Sequence, residues 1–350
     1  MLIKKWLLWI LTVCVLCGTF SSCGKTSEKY SSHSFDYFDT VTTVTGYAPS
    51  REAFDLVCAD IFAVLSEYHK LFTIYERYEG MENLCTVNEL HGGAHRTVTV
   101  DEKIIRMLTY AKAAYTKTNG QLNVAMGSVL SIWHEYRENG IDDPQNASAP
   151  PMQMLLDAAG HTDISALVID EANNTVTLTD PMMRLDVGAI AKGYAVEMAA
   201  QMLEAKGVTG YVLNVGGNVR TVGVKNDGTA WLVGIENPEE DAEEPYIEYL
   251  RLSGESVVTS GSYQRYYVAD GVSYHHIIDP DTWMPAEGFR SVSVVCKSSA
   301  DGDMISTALF CMPYEEGAAL VASMVGVEAM WVLPNGEKRY SEGFSAYLAN

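Results

Sequence analysis

Between residues 211 and 278 the sequence carries seven short strand-like runs, 211–215, 221–224, 230–235, 247–252, 257–259, 264–268 and 273–278, with no helical stretch among them. Helical signals gather elsewhere. Phe54, Val57, Ile61, Val64, Leu65 and Tyr68 recur at helix spacing over 52–70, and Asp101 can cap a helix over 102–118 that ends at Asn119-Gly120. Further helices are predicted at 189–206, 303–312 and 315–325, with a late strand at 329–333. Elements grouped in blocks predict an α+β fold of mixed sheets and packed helices, in place of a doubly wound parallel sheet. The domain opens with a strand over 35–47. A hairpin of 164–170 and 175–178 turns at Asn173-Asn174, and 138–151, with its Gly, Asn, Ser and Pro, is the clearest loop.

The chain has 350 residues, enough for one large domain or two ordinary ones, and 47% of them are hydrophobic. A peptide hormone, a zinc finger and a lone binding module are excluded. Lys and Arg number 24 against 45 Asp and Glu, a net charge of −21 that repels phosphate backbones, so nucleic-acid binding is not expected. Such a chain handles a phosphorylated ligand only by local neutralisation, with a metal ion or a few placed lysines and helix N-termini.

The N-terminus reads as an address. Lys4 and Lys5 precede an apolar stretch from Trp6 to Cys17 that is short for a membrane span, and Ser21-Ser22-Cys23 follows. This resembles a bacterial lipobox, with Phe20 where Leu is usual. Residues 1–22 are therefore expected to be a signal peptide, Cys23 the lipidated residue, 23–34 a polar tether and 35–350 the folded domain, outside the cytoplasm and anchored to the membrane. An uncleaved N-terminal anchor is the alternative. Beyond Cys14, Cys17 and Cys23 remain Cys58, Cys85, Cys296 and Cys311, without CxxC spacing and beside apolar runs, so buried free thiols are expected.

Four segments can carry chemistry. Asp186-Val187-Gly188-Ala189-Ile190-Ala191-Lys192 places an acid at a strand end and small residues at a helix start, which suits phosphate but also plain helix–sheet packing. Asn214-Val215-Gly216-Gly217-Asn218, a double Gly leaving a strand, reads by itself as a turn. Thr259-Ser260-Gly261-Ser262-Tyr263 precedes His275-His276-Ile277-Ile278-Asp279-Pro280; adjacent strand residues face opposite ways, so one His serves a pocket, as a general base near pH 7. Asp303 and Thr307 share a helix face, as oxygen donors to a hard cation or as an N-cap with a solvated hydroxyl.

Taken in order, these segments resemble the ApbE family of FAD:protein FMN transferases, and the likeness extends to Phe38-Asp39-Thr40, to Leu71-Phe72-Thr73-Ile74-Tyr75 ahead of Asn88, and to 118–123 before Trp133. The resemblance implies an α+β fold with flavin in a cleft. It implies an exported enzyme that binds FAD and Mg2+ and transfers FMN to a threonine hydroxyl of an exported electron-transfer protein, releasing AMP. By that likeness Tyr75, Gln121, Leu122, Asn123, Asp186 and Lys192 contact the flavin nucleotide. Asp303, Thr307 and the Ala189 carbonyl, with the backbone near Ser306, hold the metal, and His276 activates the acceptor hydroxyl. Its activity is then expected to rise near pH 6.5, with His275 facing away. The sequence departs from the family at Leu122-Asn123, where Phe-Asp is common, and at Thr282-Trp283, where Thr-Gly is common. An FAD pyrophosphatase and a non-enzymatic flavin- or solute-binding lipoprotein are the alternatives.

If Cys23 carries the lipid, Cys23→Ala moves the protein from the membrane to the soluble fraction; unchanged fractionation contradicts lipidation.

Overall fold

The computed structural model describes residues 27–89, 97–239 and 241–349, so the signal-peptide segment and Cys23 lie outside the described residues. The chain enters through a hairpin of β1 (Glu28–Tyr37) and β2 (Thr40–Ala48), followed by α1 (Arg51–Phe72). The Ser50 hydroxyl accepts the Ala53 N–H and caps α1, whose buried stripe includes Phe54, Ile61 and Leu65. After α2 (Leu84–Asn88) and β3 (Thr97–Thr99) come α3 (Glu102–Lys117), α4 (Gly127–Asp142) and α5 (Met152–Ala159). The hairpin of β4 (Leu167–Asp170) and β5 (Thr175–Leu178) precedes α6 (Gly188–Ala205).

A run of strands follows: β6 (Tyr211–Val215), β7 (Asn218–Val222), β8 (Trp231–Glu236), β9 (Tyr246–Leu252), β10 (Ser256–Gly261), β11 (Tyr266–Ala269), β12 (Val272–His275) and β13 (Ser291–Cys296). The chain closes with α7 (Ser299–Cys311), α8 (Tyr314–Ala322), β14 (Glu328–Val332) and β15 (Lys338–Tyr340). Eight strands form one sheet in the order β1-β2-β6-β7-β10-β13-β14-β15, and its pairings are antiparallel. The fold is α+β, as the block pattern predicts.

Several expectations change: α7 begins at Ser299, four residues before the expected 303, and α2, β3, α4, α5 and β15 have no counterpart in the sequence reading. Residues 28–34, read as tether, form the first part of β1. The single strand over 35–47 is a hairpin that turns at Phe38 and Asp39, both at positive φ (55° and 50°). The loop expected from 138 begins after Asp142, because α4 continues that far. Strand β13 is absent from the sequence reading. All six of its residues are buried, Ser291 and Ser293 included, so its Ser-Val-Ser-Val alternation does not mark a wet face.

Burial on both faces has a cause. Val292 and Val294 of β13 join the main core under the helices, while Val295 and Val257 of β10 pack with Ile235, Leu250 and Leu252 of the β8–β9 hairpin on the other side. A third cluster, of Met126, Trp133, Leu155, Tyr267 and Ile278, joins α4 and α5 to the β11–β12 hairpin.

Helices α6 and α7 meet at a seam that permits no side chain. A Cβ at Gly193 would lie 2.4 Å from both the Asp303 Cβ and the Ser299 carbonyl oxygen, and one at Gly302 would lie 2.7 Å from Val258 of β10. Below the seam the guanidinium of Arg220, 1% exposed, donates to Glu197 (3.2 Å), Glu204 (2.8 Å) and the Gly254 carbonyl (2.8 Å). Glu197 also accepts the Ser299 N–H at 2.8 Å, which ties α6, β7 and the start of α7 together. A buried ion pair of this kind fixes arrangement more than it adds stability.

Gly193→Ala is expected to destabilise the protein by about 1–3 kcal/mol, because backbone and a short buried side chain must move apart. A melting temperature equal to wild type would show that the seam is loose.

Candidate active site

A cavity of about 220 Å3 lies over the N-terminal end of α6, bounded by α4, α7, β10 and the β11–β12 hairpin. Its apolar wall includes Met126, Leu130, Trp133, Tyr267, Tyr274 and Ile278. Its polar wall brings together Gln121, Asn123, Asp186, Ala189, Lys192, Asn218, Ser260, His276, Asp303 and Thr307. Residues taken from five distant segments of the sequence thus meet in one space.

Asp186 follows Leu185, whose N–H and carbonyl are both held by the Asn88 side chain (2.7 and 2.8 Å). Its carboxylate accepts the Gly188 N–H at 2.8 Å, at the start of α6. Part of the side chain faces the cavity, so it is enclosed by protein without being sealed from solvent. Burial raises its pKa, opposed by the Gly188 N–H and by His134, Arg137 and Lys192.

Asp303 is 4% exposed and accepts the Gly193 N–H at 2.8 Å, with the Lys192 ammonium 3.9 Å away. Burial raises its pKa, and Lys192 is the largest opposing influence. Ser298, accepting the Asp301 N–H at 3.2 Å, caps α7. Asp303 is therefore interior to the helix, and the N-cap explanation falls. The Thr307 hydroxyl lies 3.3 Å from that of Ser260, which also pairs with Ser306 at 2.9 Å. The Gly193 N–H that reaches Asp303 would in a regular helix serve the Ala189 carbonyl. Asn218, fully buried, sits close enough to Asp303 to lower its pKa slightly, yet neither amide atom has a partner of hydrogen-bond geometry.

A carboxylate, a hydroxyl and a backbone carbonyl are hard oxygen donors, and an unpaired buried amide stands beside them. This set fits a small hard cation that completes its shell with water and phosphate oxygens. Among the described residues no group of three or more His, Cys, Asp or Glu converges, so a cation here would draw on hydroxyl, carbonyl, water and phosphate oxygens beside the one carboxylate.

The two histidines depart from the strand argument. β12 ends at His275, and both rings line the cavity. His275 is spent on structure: its Nε2–H donates to the Ala286 carbonyl (2.9 Å) and its Nδ1 accepts the Ile277 N–H (3.3 Å). His276 Nδ1 is buried without a partner. Burial, then Arg265 and Lys192, push its pKa down to about 3. The expected rise in activity near pH 6.5 is thereby replaced, since His276 is already neutral there.

The remaining sequence candidates divide. Tyr75, 58% exposed, stacks on His134 with ring centroids 5.1 Å apart and offers an aromatic face at the rim. Gln121 donates to Asp281 at 2.8 Å, and its carbonyl oxygen is buried and unpaired. Leu122 is core. Asn123 is bound to the Thr162 carbonyl and the Ala125 N–H, both at 2.9 Å. Trp283 holds a left-handed φ of 63°, rare for a bulky residue, with its carbonyl accepting the Trp133 indole N–H at 2.9 Å. Cys58, Cys85 and Cys296 are buried free thiols, whereas Cys311 is half-buried at the cavity wall. Sequence reasoning missed Arg137, Arg265 and His134, all at the cavity, and read Asn218 only as the end of a turn. Arg137 stands four residues after Trp133 on one helix face, the one signal that was available.

Fold and site define an α+β protein whose cleft suits an aromatic, phosphorylated ligand and a hard cation. The chain belongs to the ApbE family, whose model matches residues 38–331. It is 32% identical to a FAD:protein FMN transferase of Treponema pallidum, over 97% of this chain and 94% of that one, and 32% identical to one of Klebsiella pneumoniae, over 76% and 82%. The crystal structure of the ApbE protein from Thermotoga maritima superposes with a TM-score of 0.79 at 27% identity, covering 92% of this chain and all of that one.

Mg2+ is expected to raise the melting temperature of the wild type in proportion to the logarithm of its concentration above Kd, and to leave Asp303→Asn unmoved with an unchanged circular-dichroism spectrum. An equal shift in the variant would place the cation elsewhere. For His276 the folded pKa lies below the unfolded 6.5, so the unfolded chain binds the extra proton and stability falls as pH drops from about 6.5 towards about 3. His276→Asn is expected to lose less stability than wild type over that interval; identical pH–melting curves contradict the buried neutral imidazole.

Proposed function

We propose that this chain is a FAD:protein FMN transferase that uses Mg2+, joins the FMN phosphate to a threonine hydroxyl of an exported protein and releases AMP. The observation that supports it most is the meeting of Asp303, Thr307 and the Ala189 carbonyl with Lys192 and an unpartnered His276 in one cavity that has an aromatic wall.

In this reaction a bond forms between the threonine oxygen and the phosphorus of the FMN half, and the bond to the bridging oxygen of the diphosphate breaks, so the electron pair leaves with AMP. Asp303, Thr307 and the Ala189 carbonyl would hold Mg2+, which supplies the positive charge against the diphosphate that a chain of −21 lacks. Lys192 adds a second charge close by. His276 is neutral, with Nδ1 free to accept the hydroxyl proton; arrival of the anionic diphosphate among the nearby cations raises its basicity. The aromatic wall and Tyr75 provide faces on which a flavin ring can stack. The same reading anchors the domain outside the cytoplasm through Cys23.

Incubation of the mature protein with FAD, Mg2+ and a threonine-containing acceptor peptide tests this directly. Covalent flavin on the peptide and free AMP are expected. Free FMN with AMP would instead show a pyrophosphatase, and intact FAD a binding protein. His276→Asn is expected to bind FAD nearly as wild type and to transfer FMN slower by roughly 10²–10⁴. Between pH 5 and 8 the free enzyme's kcat/KM should show no limb that His276→Asn removes; such a limb near 6.5 contradicts the account.

A further inference from the structure

A second cavity, of about 350 Å3, adjoins the first and shares with it Tyr75, His134, Arg137, Asp186, Lys192 and Arg265. Its far wall is the Phe38–Asp39 turn with His69 and Phe72. Two arginines on different elements therefore reach the space common to both cavities, Arg137 from α4 and Arg265 from the segment just ahead of β11.

Elsewhere among the described residues Arg51, Arg77, Arg106, Arg220, Arg290 and Arg339 each lie against a carboxylate, and Arg184 and Arg251, which do not, line neither cavity. Arg137 and Arg265 make no ion pair among the described residues. Each is instead held by neutral acceptors. Arg265 donates to the carbonyls of Phe38 (3.4 Å) and Asp39 (3.1 Å), and the Phe38 N–H is fixed by His69 Nδ1 at 3.1 Å. The turn that receives Arg265 is the two-residue loop of the β1–β2 hairpin, whose type I′ form requires positive φ at both Phe38 and Asp39 and is strained at the bulky Phe38. Arg137 donates to His134 Nδ1 at 2.6 Å, and His134 Nε2 in turn meets Glu138 at 2.9 Å, which orients the guanidinium. In a chain with 45 acidic residues, two neighbouring arginines that line a cavity without an ion-pair partner, and that outnumber the one carboxylate, Asp186, lining the space they share, are placed for an anion from outside.

We propose that Arg137 and Arg265 form an anion subsite that grips a phosphate of the ligand's diphosphate, beside Lys192 and on the side of it away from Asp303. The subsite makes the protein select phosphorylated flavins over riboflavin. This inference rests on the flavin reading for its ligand but not for its charge chemistry. The arginines' planar forks suit phosphate oxygens, and their partial enclosure spares the contact much of the screening that salt exerts at an open surface. Mutual repulsion between the two guanidinium groups, which with burial lowers the pKa of Arg137, is relieved when the anion enters.

Calorimetric titration of the full folded domain with FAD, with riboflavin and with inorganic pyrophosphate, in EDTA so that no divalent cation contributes, tests the subsite. In Arg137→Gln and in Arg265→Gln the Kd for FAD and for pyrophosphate is expected to rise on the order of 10- to 100-fold, with riboflavin within about twofold of wild type. Arg137 does not touch the strained turn, so its variant reports on the anion even if Arg265→Gln loosens the fold. Equal weakening of riboflavin and FAD, unchanged pyrophosphate affinity in either variant, or a wild type that binds no pyrophosphate overturns the proposal. Arginine-dependent pyrophosphate binding in a protein that binds no flavin would uphold the subsite and sink the flavin reading instead.

Discussion

Everything at the site depends on how closely α6 and α7 approach. With hydrogen as its only side chain, Gly193 lets the two helices touch, and its N–H is satisfied by the Asp303 carboxylate instead of being screened from it. That one bond turns a helix-packing contact into a site, because it fixes an acidic group within reach of the first turn of α6, with Ala189 and Lys192 beside it. The Arg220–Glu197–Glu204 network and the Ser299 N–H lock the same two helices below. The eight-stranded sheet supplies the floor on which both helices rest, so the seam is set by the core and not by loops.

The electrostatics follow from that geometry. Enclosure raises the pKa of Asp186 and Asp303 and lowers that of His276, three shifts in which burial is the leading cause. Such a cavity favours neutral acids and a neutral base until charge arrives to compensate. A cation bound beside Asp303 and an anionic ligand bound among Lys192, Arg137 and Arg265 would relieve opposite strains, so each would make room for the other. The surrounding surface, at a net −21 for the chain, offers no general attraction to phosphates, which places the burden of recognition on these few groups.

Much of this was legible in the sequence where local chemistry speaks for itself. The apolar stripe of α1, the cap of α3, the small residues opening α6 and the Asp303–Thr307 spacing each follow from short-range rules, and the order of the motifs carried the family. Other features were invisible for physical reasons. β13 is a six-residue strand buried on both faces, serines included, while Gly193 reads as a weak helix residue until α7 is packed against it. Arg137 lies in an ordinary helix and gains meaning only from Arg265, far away in sequence. The two-sided rule for adjacent strand residues failed at His275 and His276 because the strand ends between them. Trp283 occupies a left-handed position that glycine would fill without strain, and its backbone is committed to Trp133.

The central claim is that the seam between α6 and α7 is where metal and diphosphate meet. The measurement that tests it most directly is anomalous diffraction from crystals grown with FAD and Mn2+ in place of Mg2+. The account predicts a single strong peak within coordinating distance of the Asp303 carboxylate, the Thr307 hydroxyl and the Ala189 carbonyl, next to the phosphates of the flavin nucleotide. A peak away from that seam, or bound FAD with its diphosphate remote from Asp303, would contradict it.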